Sequence, residues 1–265
     1  KHGAAMSYCS KYLITLHAIM NCMVIYKEEI DSTNNFLREY ENGNDITVVW
    51  TDFQTAGRGQ GTNHWESERG KNLIFSILIH PKNVNAAEQY IISMMTAITI
   101  SEYLAKALHR EVWIKWPNDI YIDDMKIAGI LIENCLSGCH IKDCIIGIGL
   151  NVNQQVFESD APNPISMLLI DGKERNREEV LHSLLNLFTE KMEEFDVGEI
   201  RTKYRNSLYR RHGFHQYLDA NGSFCAEMVT VEDDGHLVLR DTENHERRYA
   251  FKEVAFVLEK NEKIE

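Results

Sequence analysis

Apolar residues recur along the first half of the chain in runs that predict a buried sheet covered by helices. Residues 72–80, "NLIFSILIH", are almost continuously apolar, as is typical of a strand buried on both faces. Residues 22–30 and 45–50 predict two further strands, with a helix over 31–42 between them. Apolar residues at helical spacing over 85–109 predict a long helix against one side of this sheet.

Between residues 112 and 153 the pattern predicts three or four short strands. The turns that separate them read "PND", "DDMK" and "LSGC", which are short enough to join antiparallel neighbours. A loop over 154–164 and helices over 165–170 and 176–207 follow. The runs predicted as strands are 112–116, 119–123, 127–134 and 140–153.

The sequence changes character near residue 212. From there, short β-rich runs are broken by "DANG", "EDDG" and "DTENHE", which predicts a five-stranded meander or small barrel. We therefore expect three parts: a tag remnant or lead-in over residues 1–20, a main domain over 21–211 and a second domain over 212–265.

Composition places the chain among globular proteins and narrows its partners. Of its 265 residues, 44% are hydrophobic and 26% are charged, which is ordinary for a soluble protein. The formal net charge of −12 argues against a nucleic-acid partner, because phosphate recognition usually requires net or clustered basic charge. No apolar run reaches the roughly 18 residues of a membrane span, so we expect no membrane and a cytoplasmic location.

The six cysteines are scattered, mostly in apolar context. Cys135, Cys139 and His140 could be ligands of a structural metal, but no second Cys/His pair completes a four-ligand set at a usual spacing. We favour reduced, partly buried thiols, as expected of a cytosolic protein.

Residues 51–72, "TDFQTAGRGQGTNHWESERGKN", form an unusual loop between two predicted strands. The loop matches neither the phosphate-loop pattern nor the dinucleotide-binding fingerprint. Gly57, Gly59 and Gly61 can still present successive backbone N–H groups to an anion, and Arg58 adds a positive charge. A mobile surface loop is an equally good interpretation of these residues alone, although loops of this length are usually functional.

The segment "KWPNDIYIDDMKIAG" brings two lysines and a carboxylate together. Lys115 ends a predicted strand, Asp119 follows in the next turn, and Lys126 lies one hairpin away. Nucleotide chemistry requires this mixture, with lysine for phosphate charge and a carboxylate to hold Mg²⁺ through water. The alternative is ordinary turn chemistry with solvated lysines.

The strand "CIIGIGLNVN" places Gly147, Gly149 and Asn151 on one face. Glycine weakens a strand, so two on one face indicate that another group packs against bare backbone there. A flat ring such as adenine, with Asn151 at its edge, would fit. Close packing of a helix is an equal alternative.

The segment "DSTNNF" offers short polar side chains at the start of the predicted helix 31–42. Ser32, Thr33 and Asn34 lie where free backbone N–H groups also point outward. Most such residues only cap a helix, with Asp31, Ser32 or Thr33 as the candidate N-cap here.

Taken in order, "DSTN", "TDFQTAGRGQG", "GKNLIFSILI", "KWPNDIYI", "KIAGILIE" and "GIGLNVN" resemble the motifs of the biotin protein ligases (biotin–[acetyl-CoA-carboxylase] ligases). Each motif alone is weak, but six in the family's order and spacing, over residues 26–258, make a specific signal. The resemblance implies an α+β fold similar to class II aminoacyl-tRNA synthetases. That fold is a mixed, largely antiparallel sheet flanked by helices, followed by a small Src-homology-3-like β-barrel.

The resemblance also implies a two-step reaction in the domain over 21–211. Biotin attacks the α-phosphate of Mg-ATP to give biotinyl-5′-AMP and pyrophosphate, and a lysine of a biotin carboxyl carrier domain then attacks the mixed anhydride. ATP and Mg²⁺ are the implied cofactors, biotin is the substrate, and the carrier domain of a biotin-dependent carboxylase is the partner. The family contains both monomers and homodimers.

Carried over residue by residue, the resemblance assigns catalytic roles to Arg58, Lys115 and Lys126. Asp119 is expected to hold Mg²⁺ through water or phosphate. The residues expected at the nucleotide are Arg58, Lys115, Asn118, Asp119 and Asn151. The residues expected at biotin are Ser32, Thr33, Asn34, Gln54, Gly57, Arg58, Gly59, Gln60, Trp65, Lys126 and Gly129.

Two departures from the family's pattern bear on function. Many bacterial members have further arginines after "GRG", where this chain has Gln60, Gly61 and Thr62, so we expect a weaker hold on pyrophosphate or adenylate. Some members carry an N-terminal winged-helix domain that represses biotin synthesis genes. Few residues precede the first predicted catalytic strand here, so we expect a short form that is not a DNA-binding repressor.

Two rival functions remain. A lipoate–protein ligase would share the catalytic fold and the adenylation chemistry, but the "GRGQ" loop and the barrel after residue 212 favour biotin. A non-catalytic biotin-binding regulator would be indicated by loss of Lys115 or Lys126, and both lysines are present.

Overall fold

The computed structural model describes residues 9–16, 20–40, 44–61, 63–81, 84–158 and 163–258. In this part of the chain, eight strands form one mixed sheet. They are β1 (Cys9–Leu16), β2 (Met20–Ile30), β3 (Ile46–Gln54), β4 (Leu73–Ile79), β5 (Trp113–Lys115), β6 (Asp119–Ile122), β7 (Met125–Ser137) and β8 (His140–Leu150).

The strand order is β1-β2-β3-β4-β8-β7-β6-β5. The neighbours β2 and β3 are parallel, and the other neighbouring pairs are antiparallel. The predicted mixed, largely antiparallel sheet is therefore confirmed. Strand β1 falls within the segment that the sequence placed in a lead-in, and it pairs with β2 along its length.

The described residues also form five α-helices: α1 (Thr33–Arg38), α2 (Tyr90–Leu108), α3 (Met167–Asp171), α4 (Arg177–Glu193) and α5 (Val197–Asn206). The prediction of a single helix over 176–207 was wrong. The first helix ends at Glu193 and a second begins at Val197. Asp196 caps this second helix, because its side chain accepts a hydrogen bond from Glu199 N (2.9 Å). A short 3-10 helix (Ala86–Glu88) precedes α2.

The two faces of the sheet are covered by different elements. On one face, Phe75 and Ile148 pack with side chains of α2 and α4 in the main core. On the other face, Leu37 of α1 packs with Val49 and Ile145 in a smaller buried cluster. Each such aliphatic side chain contributes about 1.5–3 kcal/mol by its burial. The helices α2 and α4 thus close one face, and α1 closes part of the other.

The apolar helix over residues 86–108 corrects one expectation from the sequence. Its length and mean hydropathy of 1.3 would suffice to cross a membrane, although no apolar run was expected to qualify. It is 67% buried inside the protein, as the core helix of a soluble protein is. Its apolar surface is thus accounted for by packing against the sheet.

The C-terminal strands form a separate five-stranded antiparallel sheet, in agreement with the predicted meander or small barrel, and we call this sheet the barrel. They are β9 (Phe214–Asp219), β10 (Gly222–Val231), β11 (Leu237–Asp241), β12 (Glu246–Tyr249) and β13 (Val254–Phe256), in the order β12-β11-β10-β9-β13. Tyr217 and Leu239 are fully buried in its core. The sheet is joined to the main domain at Trp116, whose Nε1 donates to Gly235 O (2.8 Å).

Candidate functional site

A row of facing residues crosses four strands on the face that carries α1. Strand pairing sets Lys115 opposite Asp119, Asp119 opposite Gly129, and Gly129 opposite Gly149. Residues that face each other across antiparallel strands project on the same side of a sheet. A cation, a carboxylate and two positions without side chains therefore lie side by side. Lys126 joins them, with its Nζ 2.7 Å from Asp119 Oδ1.

The indole ring of Trp65 covers the two glycines of this row. A Cβ atom at Gly129 would lie 3.0 Å from Trp65 Cζ3, and one at Gly149 would lie 2.6 Å from Trp65 Cζ2. Lys126 Nζ lies 5.6 Å from the centroid of the same ring. A flat ring does pack on bare backbone at Gly149, and here that ring is an indole. The alternative, a packed helix, holds at Gly147, where Asn34 of α1 contacts the strand.

The start of α1 is bound to the sheet by a buried polar network. Gln54 Oε1 accepts hydrogen bonds from Thr33 N (2.7 Å) and Thr33 Oγ1 (3.0 Å). Ser76 Oγ lies 2.7 Å from Thr33 Oγ1 and donates to Asn34 Oδ1 (2.6 Å). Ser32 occupies the N-cap position, yet its buried side chain makes no capping hydrogen bond. The prediction of Ser32 as an N-cap candidate is confirmed by its position, although its hydroxyl does not cap the helix.

Glu133 connects this network to the loop over 51–72. Its carboxylate accepts from Asn34 Nδ2 (2.8 Å), from Arg38 Nη2 (2.8 Å) and from Arg58 Nη2 (3.0 and 3.1 Å). Charge-assisted hydrogen bonds of this kind are stronger than neutral ones. Arg58 is thus held toward the start of α1 by Glu133, a contact that the sequence did not predict.

Two members of the network, Ser76 and Glu133, were missed by the sequence interpretation. Each leaves a signal, because Ser76 interrupts the continuous apolar run 72–80 and Glu133 interrupts the apolar run 127–134. A polar residue inside such a strand is buried only with hydrogen-bond partners. The partners come from distant parts of the chain, so the run itself does not identify them.

The loop after β3 folds back on itself as a tight hairpin, which we call the lid (residues 54–65). Gly59 N donates to Asn63 O (2.7 Å) and Trp65 N donates to Gly57 O (3.2 Å). Gly57 has no room for a side chain, since a Cβ atom there would lie 2.9 Å from Trp65 O. Gln60 accepts from Asn63 N through its backbone carbonyl (3.3 Å). Thr62 lies outside the described residues.

Lys115 lies at the join between the main domain and the barrel. Its Nζ is 5.2 Å from the centroid of Tyr121 and 5.3 Å from that of Phe256 in β13. Burial lowers the pKa of the Lys115 ammonium, while Asp119 acts in the opposite direction and Lys126 adds to the lowering. Such a partly desolvated cation interacts strongly with an anion that reaches it.

The two asparagines predicted at the nucleotide differ in their contacts. Asn118 Nδ2 donates to Ile130 O and Ile130 N donates to Asn118 O (3.0 Å), so this residue fixes the turn before β6 to β7. Asn151 Nδ2 donates to Ile165 O (3.0 Å), and Asn151 Oδ1 is buried without a partner among the described residues. Asn151 therefore has an acceptor available and Asn118 has its amide engaged.

Asp119 is suited to hold a magnesium ion. Mg²⁺ keeps several water ligands and is usually bound by one or two carboxylates together with substrate phosphates. Among the described residues Asp119 forms its ion pair through Oδ1, with Lys126, and the side chain is 20% exposed. The carboxylate therefore fits such an ion.

Other groups of metal-ligating residues are less suitable. Glu232, Asp234 and His236 bring ligand atoms within 4.8 Å of one another on the barrel, but Arg248 already pairs with both carboxylates. Cys135 and Cys139 are exposed free thiols, and within the described residues they are in no cluster of three potential ligands.

The amino-acid sequence of the chain is similar to those of known ligases. The sequence profile of the Biotin/lipoate A/B protein ligase family matches residues 26–151. A biotin–[acetyl-CoA-carboxylase] ligase of Paracoccus denitrificans is 30% identical over 193 residues, which cover 64% of this chain and 79% of that protein. The bifunctional ligase/repressor BirA of Bacillus spizizenii is 27% identical over 242 residues, covering 88% of this chain and 74% of that protein.

The fold of the chain is also similar to that of a solved biotin protein ligase. The biotin protein ligase of Aquifex aeolicus in complex with biotin and ATP superposes with a TM-score of 0.73 at 27% identity, over 88% of this chain and 98% of that one. The arrangement of the sheet and its flanking helices thus has a known counterpart. The chain belongs to the biotin protein ligase family, as its motifs indicated.

Proposed function

We propose that the protein is an ATP-dependent biotin protein ligase. It joins biotin to AMP and then transfers biotin to a lysine of a biotin carboxyl carrier domain. One observation carries the proposal: the buried polar network at the start of α1 and the Lys126–Asp119 pair flank one glycine floor, beneath Trp65. A ligand with a polar head and a reactive carboxylate at the end of a chain can occupy both ends of this arrangement.

The polar network suits the ureido ring of biotin, which has one carbonyl acceptor and two N–H donors. Ser32 and Thr33 offer hydroxyl groups, and Gln54 uses its Oε1 for Thr33, which leaves its Nε2 for a ligand. Asn34 and Ser76 hold these groups in place from below. The site is built on a strand and a helix start, so its polar groups are positioned before the ligand binds.

The lysines suit the adenylation step. The biotin carboxylate attacks the α-phosphate of ATP, a P–O bond to pyrophosphate breaks, and both reactants are anions. Lys126 would neutralise charge between them, and Lys115 would neutralise the phosphates. Charged donors in a site closed to water stabilise such a transition state, and removal of one typically costs about 3–4 kcal/mol. Mg²⁺ held by Asp119 would shield the triphosphate charge.

The lid and Asn151 complete the proposed site. Gly57, Arg58 and Gly59 would wrap the carboxylate and α-phosphate, with Gln60 beside them. The unpaired Asn151 Oδ1 would accept from the amino group of adenine. Exclusion of water by Trp65 and the lid would protect the mixed anhydride from hydrolysis.

In the second step the carrier lysine attacks the carbonyl carbon of the anhydride and AMP leaves with its phosphate. The names of the relatives support a carboxylase carrier domain as acceptor. We also place the protein in the cytoplasm as a monomer or homodimer. Its free cysteines are consistent with a reducing compartment.

The adenylation step is tested by ATP–pyrophosphate exchange with biotin or with lipoate as the acid. We expect exchange that depends on biotin and on Mg²⁺, and a loss of at least about 100-fold in the Lys126→Ala variant. Lys106→Ala, an exposed lysine of α2, is the matched control and keeps wild-type exchange. Exchange with lipoate alone would identify a lipoate ligase, and binding of biotin without exchange would identify a regulator.

A further inference from the structure

The lid is poor in positive charge for a loop that is to hold phosphates. Between Gln54 and Trp65 the sequence contains one arginine or lysine, Arg58. The guanidinium of Arg58 is paired with Glu133, toward the start of α1. The second half of the lid, around Gly61, therefore has backbone N–H groups but no cation of its own.

A lysine from the barrel reaches this second half. The ammonium group of Lys252 lies where a side chain at Gly61 would project, and a Cβ atom at Gly61 would be 3.0 Å from Lys252 Cε. Gly61 has a φ of +67°, which favours glycine as well. The absence of a side chain at position 61 thus leaves room for Lys252, so the two positions are complementary.

Lys252 is held in this place by the turn between β12 and β13. Glu253 N donates to Ala250 O (3.2 Å), and the Glu253 carboxylate accepts from Ala250 N (2.7 Å). The ring of Phe251 packs edge-on against Trp116, with centroids 6.4 Å apart. Trp116 is buried and is the direct neighbour of Lys115 in the site. The turn is therefore anchored on the same segment that supplies a predicted catalytic lysine.

In the described part of the chain, no carboxylate neutralises the charge of Lys252. Within the described residues Lys252 takes part in no ion pair, and its ammonium lies 5.9 Å from the ring centroid of Phe251. By contrast, Arg58 and Lys126 are each paired with a carboxylate. Lys252 is the cation at the lid that an incoming anion can use without breaking an existing ion pair.

We propose that Lys252 is the second cation of the lid and binds the phosphates of the nucleotide. This inference rests on the proposed function and assigns to the barrel a direct part in nucleotide binding. The ammonium group adjoins Gly61, one of the positions at which the family resemblance implies an arginine in many members. Binding of the nucleotide would then join the lid to the barrel through one phosphate group.

Removal of the Lys252 ammonium would cost the nucleotide one charge-assisted hydrogen bond at a partly exposed site. Loss of such a bond weakens binding by about tenfold. The Lys252→Ala variant should therefore raise the KM for Mg-ATP in pyrophosphate exchange by about tenfold, with the KM for biotin within about twofold of wild type. Lys252→Arg should stay within about twofold of wild type for both substrates, because it keeps the charge.

A compensating variant separates an electrostatic role from a structural one. Gln60→Arg in the Lys252→Ala background should restore the KM for Mg-ATP, because the new arginine supplies a cation from the lid itself instead of from the barrel. Lys106→Ala is the control for loss of a lysine far from the site. An unchanged KM for Mg-ATP in Lys252→Ala would overturn the proposal, as would a defect confined to transfer onto the carrier domain. If the wild-type protein shows no exchange with ATP at all, the proposed function fails together with this inference.

Discussion

The indole ring of Trp65 lies directly on the backbone of Gly149, at the centre of the sheet face that carries the site. Gly149 pairs across β7 and β8 with Gly129, which the same ring also contacts. The ring thus rests on a floor made of backbone alone. The floor is continuous with Asp119 and Lys115, so a ligand group that enters beside Trp65 meets both charges.

Gly149→Ala should displace the ring and impair the site. An added Cβ atom would lie 2.6 Å from Trp65 Cζ2, closer than side-chain carbons approach. We expect pyrophosphate exchange to fall by at least about tenfold, and the tryptophan emission of the folded protein to shift. Gly198→Ala, in helix α5, is the control and should leave both unchanged. Wild-type exchange in the Gly149→Ala variant would show that the floor need not be bare.

Ser76→Ala should weaken biotin without affecting ATP. Ser76 joins Thr33 to Asn34 in a buried network, and its loss leaves the Asn34 carbonyl oxygen without that donor. A buried group left unsatisfied costs about 1–3 kcal/mol, so if this cost falls on the arrangement that binds biotin, the dissociation constant of biotin rises by up to about 5- to 150-fold. Isothermal titration measures this change. The control is Ser183→Ala, an exposed serine of α4 whose hydroxyl donates to Glu179 O within its own helix.

Gln60→Arg in the otherwise wild-type chain should slow release of the adenylate. Gln60 stands where arginine-rich members of the family have a cation, and an added arginine can bind a phosphate with two hydrogen bonds. We expect the dissociation rate of biotinyl-5′-AMP, followed by stopped-flow competition, to fall by about tenfold. An unchanged rate would mean that Gln60 does not contact the adenylate.

Acid should destabilise the barrel through Asp241. The backbone N–H of His245 is the main cause of the lowered pKa of the Asp241 carboxyl, and Arg247 and the N–H of Glu243 add to it. Because the folded-state pKa lies below the unfolded one, Asp241 stabilises the fold above the unfolded pKa, about 3.9, and this contribution is lost as pH falls through the folded value.

The corresponding variant is Asp241→Asn. It should lower Tm at pH 7 and make Tm of the barrel less dependent on pH below about 4, as measured by calorimetry. Glu246→Gln, an exposed carboxylate at the start of β12, is the matched control with little effect. If Tm falls equally steeply with decreasing pH in Asp241→Asn, other carboxylates cause the loss of stability.

Much of the fold could be read from local pattern. The continuous apolar run of β4, the short turns between β5 and β8 and the turn residues of the barrel each specify one element. The break between α4 and α5 was missed because apolar spacing continues across it, and the N-cap Asp196 is a weaker signal. The strand β1 was missed because its residues were interpreted as a lead-in.

The site was predicted only in part, for a physical reason. The motifs singled out Thr33, Gln54 and Lys126 because these lie in short stretches that resemble a known family, and the structure places all three in the candidate site. Ser76 and Glu133 act through contacts with residues far away in sequence, and Lys252 approaches the lid from another domain. Such long-range contacts depend on the strand order β4-β8-β7 and on the docking of the barrel, which no local pattern encodes.

The central claim is that this site activates biotin and transfers it to a carrier protein. Its most direct test is incubation of the protein with ATP, Mg²⁺, biotin and an apo biotin carboxyl carrier domain, followed by mass spectrometry of the carrier, with lipoate in a parallel reaction. We predict the addition of one biotin to a single carrier lysine, dependent on ATP and absent in Lys126→Ala. An unmodified carrier in the presence of folded wild-type protein, or modification by lipoate instead of biotin, would contradict it.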